Sequence, residues 1–310
     1  MTKTPWKLLL ALGLTHFVAD AISGFTVTST AFEHSLLNIS LIIFSYNVIA
    51  FGLQPFAGLL VDRWHTQRFA MLGGVGGMAI GLVLFPWIPV ISLVVIAIGS
   101  AFMHVGAGAL ASLATPKKSL GAALFTAPGV IGLTLGMLAA FQSLPLVPIL
   151  LVGAIVTLGI LASTILRIPP NDQRDTFTTP VTMSIVIFLL ALVLFVALRS
   201  TLWISVSATT IPILTLVFGL AAGTGKLAGG CIADRFGRAN TVIIATAFSL
   251  LCFLEGSVLM IVIGIGALQS STGIILSAAV QRLPKYSATT TGLILGLGLI
   301  LAGIVMEIFG

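Results

Sequence analysis

Charge is scarce in this chain. Aspartate, glutamate, lysine and arginine make up 7% of its 310 residues, against about 25% in a soluble domain. So small a charged fraction cannot cover a water-facing surface, and a soluble globular fold is excluded. Cysteine is scarcer still. Cys231 and Cys252 both lie in apolar stretches, so neither a disulfide framework nor a cysteine-based zinc site is indicated, and no metal is expected. Long polar regions are lacking too. The longest, residues 169–180 (PPNDQRDTFTTP), is too short to build a soluble active site. No phosphate loop, zinc spacing or nucleophile elbow occurs, so we expect no enzyme activity and no cofactor, and an ATP-driven pump would need a nucleotide domain that is not here. Clustered basic residues are also wanting. The net charge is +6 and the isoelectric point about 9.8, but lysine and arginine are scattered in ones and twos, which argues against a nucleic-acid partner.

What the chain has is apolar length. Hydrophobic residues make up 58% of it, and the mean hydropathy is +1.21. A helix of about 20 apolar residues crosses the hydrocarbon core, and such runs recur from end to end. Apolar length and breaker residues predict spans near 7–30, 39–61, 69–86, 89–114, 119–141, 145–167, 181–206, 208–233, 240–256, 258–281 and 288–309. The fold class is therefore an all-α integral membrane protein of about eleven helices. Residues 169–180 read as a linker between an N-terminal six-helix bundle, 1–168, and a C-terminal five-helix bundle, 181–310. The basic segment 1–7 leads into a first spanning helix rather than a cleaved signal, because no small-residue cleavage site ends a short apolar core.

Orientation follows from lysine and arginine in short loops. With the N-terminus cytoplasmic, Lys3, Lys7, Arg63, Arg68, Lys117, Lys118, Arg167, Arg174, Arg235, Arg238, Arg282 and Lys285 all fall on the cytoplasmic side. Arg199 and Lys226 alone remain, and both lie inside spans. The expected location is a plasma or bacterial inner membrane, multi-pass, with the lipid bilayer as solvent and a monomer as the functional unit.

The chain repeats itself. Gly58-Leu-Leu-Val-Asp62-Arg63 ends the second span, and Gly230-Cys-Ile-Ala-Asp234-Arg235 ends the eighth, 172 residues later. Pro116-Lys117 lies 168 residues before Pro284-Lys285, and Gly121 lies 171 before Gly292. Three matches at nearly one offset point to parallel six-span repeats. Gly-x-x-x-Asp-Arg-x-Gly-Arg after the second and eighth spans resembles the signature loop of the major facilitator superfamily. The second copy, with Gly237 and Arg238, fits that pattern better. In the first, His65 stands where glycine is usual and Thr66 where a basic residue is usual. More narrowly, Thr15-His16-Phe17-Val18-Ala19-Asp20, Met103-His104 and Leu198-Arg199-Ser200 resemble fosmidomycin-resistance-type drug exporters. The resemblance implies a two-bundle fold and secondary transport. It also implies twelve spans; the repeat register places residue 310 at the end of an eleventh, so the counterpart of the sixth is expected to be missing.

Two sets of residues are candidates for chemistry. The first is a cytoplasmic latch comprising Gly58, Asp62, Arg63, Arg68, Lys226, Gly230, Asp234, Arg235, Gly237 and Arg238. Asp62 and Asp234 sit where the chain turns, and a carboxylate there can cap the free N–H groups of the next helix. The alternatives are a latch that breaks during transport and a static cap. Lys226 can join this cluster or snorkel to the interface.

The second set is membrane-embedded and ionisable, which by default marks a site or an ion path. His16 and Asp20 are four residues apart on one helix face. His104 falls in the fourth span and Arg199 in the seventh. The resemblance implies that spans one, four, seven and ten line a central cavity, and the tenth brings Gln269, Ser270, Ser271 and Thr272. Asp20, tuned by His16, is the candidate proton carrier. A low-dielectric cavity favours a neutral carboxyl, and a nearby cation favours the ionised form. Arg199 would attract an anionic group or balance Asp20, and interhelical hydrogen bonding is the structural alternative for both histidines. Gln54-Pro55 predicts a kink in the second span with a carbonyl needing a partner. Gly129, Gly132 and Gly136 are small residues suited to close helix packing; with Ala127-Pro128 they resemble the glycine-rich fifth-helix motif of drug–proton antiporters. Glu33, His34, Glu255 and Glu307 are expected at the outer interface.

The function expected is a secondary active transporter of a small molecule working by alternating access, with proton-coupled efflux driven by the proton motive force. Uptake of an anionic metabolite, or a non-transporting relative acting as a scaffold, are the alternatives.

Overall fold

The computed structural model describes residues 5–33, 39–165, 180–207 and 212–309. Among these residues there are helices and turns and no strand. The linker expected at 169–180 lies almost wholly outside them, as does His34, and nothing is described of the Glu33 side chain.

Eleven helical spans are long and apolar enough to cross a membrane. Span 1 is Trp6–Phe32, span 2 Leu41–Arg63, span 3 Gln67–Leu84, span 4 Pro89–Ala114, span 5 Leu120–Phe141 and span 6 Val147–Ile165. Span 7 is Met183–Trp203, span 8 Pro212–Phe236, span 9 Arg238–Glu255, span 10 Val258–Arg282 and span 11 Pro284–Ile308. Span 1 is the most enclosed and span 9 the least. The outward faces carry exposed leucine, isoleucine and phenylalanine, for example Ile243, Ile244, Leu251 and Leu254 on span 9. In lipid such residues need no cover, because acyl chains are as apolar as they are.

Helix association must then come from close packing and polar contacts rather than from water exclusion. The most extensive contact joins spans 1 and 5. At its centre a side chain on Gly132 would collide with the Phe17 carbonyl, and one on Gly136 with the Ala21 carbonyl. The expected small-residue packing therefore has a defined partner, span 1. Between the first six spans and the last five, the major contacts are span 5 with span 8 and span 2 with span 11.

Three spans are interrupted. Span 2 breaks at Leu53, with helices Ile39–Gly52 and Gln54–Arg63 on either side. Pro55 has no N–H to offer the Phe51 carbonyl, and the Gln54 side-chain amide donates to the adjacent Ala50 carbonyl at 3.2 Å. The helix is interrupted where the kink is predicted. Span 11 answers it: a π-helical turn at Gly292–Leu297 brings Gly296 against the Phe51 carbonyl and Gly292 against the Gln54 backbone. Span 10 breaks between Gln269 and Ser271.

Candidate functional site

Span 1 and span 4 meet at a buried cluster of His16, Asp20 and His104. His16 and Asp20 share a face because four residues make about one turn. Gly129 on span 5 makes room for the His16 ring; a methyl group there would strike it. The ring stacks on Phe125 with centroids 4.3 Å apart, and its Nδ1 lies 2.8 Å from the Phe125 carbonyl. His104 Nδ1 lies 2.8 Å from the Ser100 carbonyl and 3.1 Å from the Ser100 hydroxyl.

These anchors settle which atoms face inward. A carbonyl oxygen only accepts, so each Nδ1 carries hydrogen. In the neutral rings both Nε2 atoms are then acceptors. They point at each other across 3.0 Å. His16 Nε2 is 3.0 Å from Asp20 Oδ2, and His104 Nε2 is 3.4 Å from Asp20 Oδ1. Three acceptors converge on one point, an arrangement that is stable only with a cation shared among them. His16 and His104 are both about 5% exposed, whereas the Asp20 side chain is 17% exposed, so the carboxylate is the way in.

The three donor atoms lie within 4.8 Å of one another, the set that could hold a metal ion. Lys226 exerts its positive charge on this cluster, which opposes a divalent ion there.

The second group lies on spans 7, 8 and 10. Arg199 is buried. Its Nη1 donates to Gln269 Oε1 at 2.7 Å and to Thr272 Oγ1, both beside the break in span 10. Asp20 pairs with histidines, and Arg199 with neutral groups. An ion pair between Asp20 and Arg199 is not formed among the described residues. Lys226, grouped by sequence with the latch, belongs here instead. Its side chain reaches across to span 5, where Nζ donates to the Thr126 carbonyl at 3.3 Å. Two turns separate it from Asp234, and an aliphatic stem of that length prefers a carbonyl on the adjacent helix.

At the end of the bundle where the chain's second and fourth loops lie, spans 2 and 8 end in the two motif copies. Asp62 accepts from the backbone N–H groups of Ala288 at 3.0 Å and Thr289 at 2.7 Å, and from the Thr289 hydroxyl at 2.8 Å. Asp234 accepts from the backbone N–H groups of Ser119 at 2.6 Å and Leu120 at 3.3 Å. The expectation that each carboxylate caps the next helix is corrected. Asp62 takes only a side-chain bond from that helix, from Gln67 at 3.1 Å; both carboxylates cap helices across the interface instead, at the starts of span 11 and span 5. Gly58 and Gly230 explain the motif's first position. A side chain on Gly58 would meet Ala288, and one on Gly230 would meet Ala123, so each glycine admits the helix that its aspartate caps.

Arg238 completes the contact, donating to the Ser119 hydroxyl at 3.0 Å and to Gln281 Oε1 at 2.8 Å. Gln281 in turn donates to the carbonyls of Ser112, Thr115 and Lys118 at 3.0–3.3 Å. Arg68 donates to the Ile165 carbonyl at 3.5 Å, while Arg63 and Arg235 are exposed at helix ends. Gly237 has φ of 92°, and His65 at the equivalent place of the first copy has φ of 54°. The turn demands a positive φ in both copies.

Sequence reasoning missed Ser119, Gln281 and Thr289 at this closure, and Ser100 beside His104. They are ordinary polar residues whose partners lie on other helices, so nothing in their local pattern sets them apart. Glu255 stays at an exposed helix end, bonded to the backbone N–H of Ser257 at 2.9 Å.

No protein-family model and no curated protein sequence matches the chain. Solved structures do. A major facilitator superfamily transporter, FucP, in the outward conformation superposes with a TM-score of 0.75 at 15% identity, covering 99% of this chain and 91% of that one. The fucose:proton symporter FucP of E. coli gives 0.67 at 18% identity, over 99% and 91%. The human organic anion transporter MFSD10 (TETRAN) gives 0.70 at 17%, over 98% and 92%. The chain therefore has the fold of major facilitator superfamily transporters, with eleven candidate membrane spans among the described residues.

Proposed function

We propose that this protein is a secondary transporter that moves a small molecule by alternating access, coupled to protons through His16, Asp20 and His104. The observation that carries the reading is the convergence of two imidazole Nε2 atoms and a carboxylate on one buried point, within 3.0 to 3.4 Å of each other. A proton placed there turns two repulsive contacts into charge-assisted hydrogen bonds. Its loss leaves three acceptors facing one another, so occupancy changes how spans 1 and 4 hold together. That couples a proton to helix position.

The latch supplies the second half of the cycle. Asp62 and Asp234 close the basic end, which is cytoplasmic if the N-terminus is, and the cavity then faces outward. A fucose:proton symporter among the similar structures supports proton coupling. Export in exchange for protons is the direction we propose, on the resemblance of the segments around His16, His104 and Arg199 to drug exporters. Uptake with protons would reverse the direction and leave the mechanism.

The test begins with a drug-susceptibility and metabolite screen in an efflux-deficient bacterial host. Compounds that respond are then followed in proteoliposomes with an imposed pH gradient. Asp20→Asn should abolish gradient-driven movement while counterflow of the same compound persists. Unchanged gradient coupling in Asp20→Asn would sink the proton role.

A further inference from the structure

We infer that the wall formed by spans 7, 8 and 10 is an oxyanion site, with Arg199 and Lys226 as its cationic arms, so that the transported molecule is an organic anion. The inference rests on the transport reading above and names its substrate class.

Charge balance is the starting point. Six ionisable side chains interact around the centre of the bundle: His16, Asp20, His104, Arg199, Lys226 and Tyr46, whose phenol is neutral. Asp20 is the one carboxylate, and it is already engaged by both imidazoles. With one proton on the histidine pair, that cluster is neutral. Arg199 and Lys226 remain, and neither has a carboxylate within ion-pair distance among the described residues. A buried cation without a counter-ion is unfavourable. Lys226, half-buried, lies within the field of buried Arg199, and the pair calls for an anion.

The guanidinium also points to one. Arg199 spends Nη1 on Gln269 and Thr272. Its Nε is shielded from water and has no hydrogen-bond partner. The Nε–Nη2 edge is the fork that carboxylates and phosphates take in a bidentate way. Gln269 and Thr272 hold the other side of the group, fixing the direction of the open edge. Among the described residues Lys226 has only the Thr126 carbonyl at 3.3 Å, a bond that an anionic oxygen would readily replace.

The experiment is thermal unfolding of the purified full chain in detergent, at constant ionic strength set with choline chloride. Inorganic phosphate, methylphosphonate and acetate are each titrated. At least one of these oxyanions should raise the midpoint in a saturable way that chloride does not reproduce. The half-saturating concentration should rise at least tenfold in Lys226→Gln and in Arg199→Gln; Arg199→Lys should lie between, and it stands in if Arg199→Gln fails to fold. Asp20→Asn should keep the anion effect while losing gradient coupling, so the two readings fail separately. No saturable oxyanion effect in the wild type, or full retention of it in Lys226→Gln and Arg199→Lys, would overturn the site. Repeating the titration in anionic phosphatidylglycerol nanodiscs separates a soluble anion from a lipid headgroup. Persistence supports a soluble substrate, and disappearance would make the occupant a lipid and overturn the substrate class.

Discussion

At the scale of single residues, the signature turn is a conformational demand. Gly237 has φ of 92° and ψ of 145°, a region essentially reserved for glycine. A methyl group there meets nothing within 4 Å, so its penalty is backbone strain alone. Gly237→Ala should therefore lower stability by about 1–3 kcal/mol, read as the unfolding midpoint in detergent. A neutral result would mean that the turn relaxes. His65 already occupies positive φ without being glycine. At the cavity, Gly129 and His16 behave as one unit. Gly129→Ala pushes the His16 ring from its seat and should reduce proton coupling as Asp20→Asn does, with folding retained. The candidate carriers His16, Asp20 and His104 were legible because charge inside an apolar run is rare. The tautomers were not, since they depend on the carbonyls of Ser100 and Phe125, which no sequence pattern advertises.

Among the elements, the telling pairs are spans 1 and 5 and spans 2 and 11. Gly132 and Gly136 seat span 5 against span 1 through backbone-to-backbone contact. Gly132→Val puts two methyl groups where the Phe17 carbonyl now sits, and should destabilise the fold by about 1–3 kcal/mol as overpacking does. Thermal melting checks it, and an unchanged midpoint would contradict the packing. Spans 2 and 11 fit differently. Pro55 frees a carbonyl, Gln54 takes up its neighbour, and the π-helical turn of span 11 brings Gly296 onto the break. The kink could be read from Gln54-Pro55, because proline removes a donor wherever it stands. The π-helical turn could not, because its residues, Gly-Leu-Ile-Leu-Gly-Leu, suit a regular helix equally well; close packing against span 2 selects it.

Across the whole molecule, the two sequence repeats close on each other. The motif after span 2 caps the start of span 11, and the motif after span 8 caps the start of span 5. Each start lies in the stretch that carries the repeat's Pro-Lys pair, Pro116-Lys117 or Pro284-Lys285. This closure is thus a pair of pseudo-symmetric capping contacts between the first six spans and the last five. A hydrogen bond to a charged group contributes about 1.5–3 kcal/mol, so losing one carboxylate should shift the open–closed ratio at this end by roughly tenfold or more. Asp62→Asn should do so in double electron–electron resonance between spin labels at Trp64→Cys and Lys285→Cys, with Cys231 and Cys252 replaced by serine. A longer-distance population should grow relative to the parent; an identical distribution would show a static cap.

The sequence by itself determined the solvent, the number of spans and the repeat. Each follows from local quantities: apolar run length against bilayer thickness, scarce charge, and motif spacing. Tertiary structure alone decided the partners. It sent Asp62 and Asp234 across the interface rather than to the following helix, took Lys226 from the latch to the cavity, and paired Asp20 with imidazoles instead of Arg199. The physical reason is common to all three. A side chain's partner in a helical bundle is set by the rotation and depth of each helix, and these come from packing between distant segments.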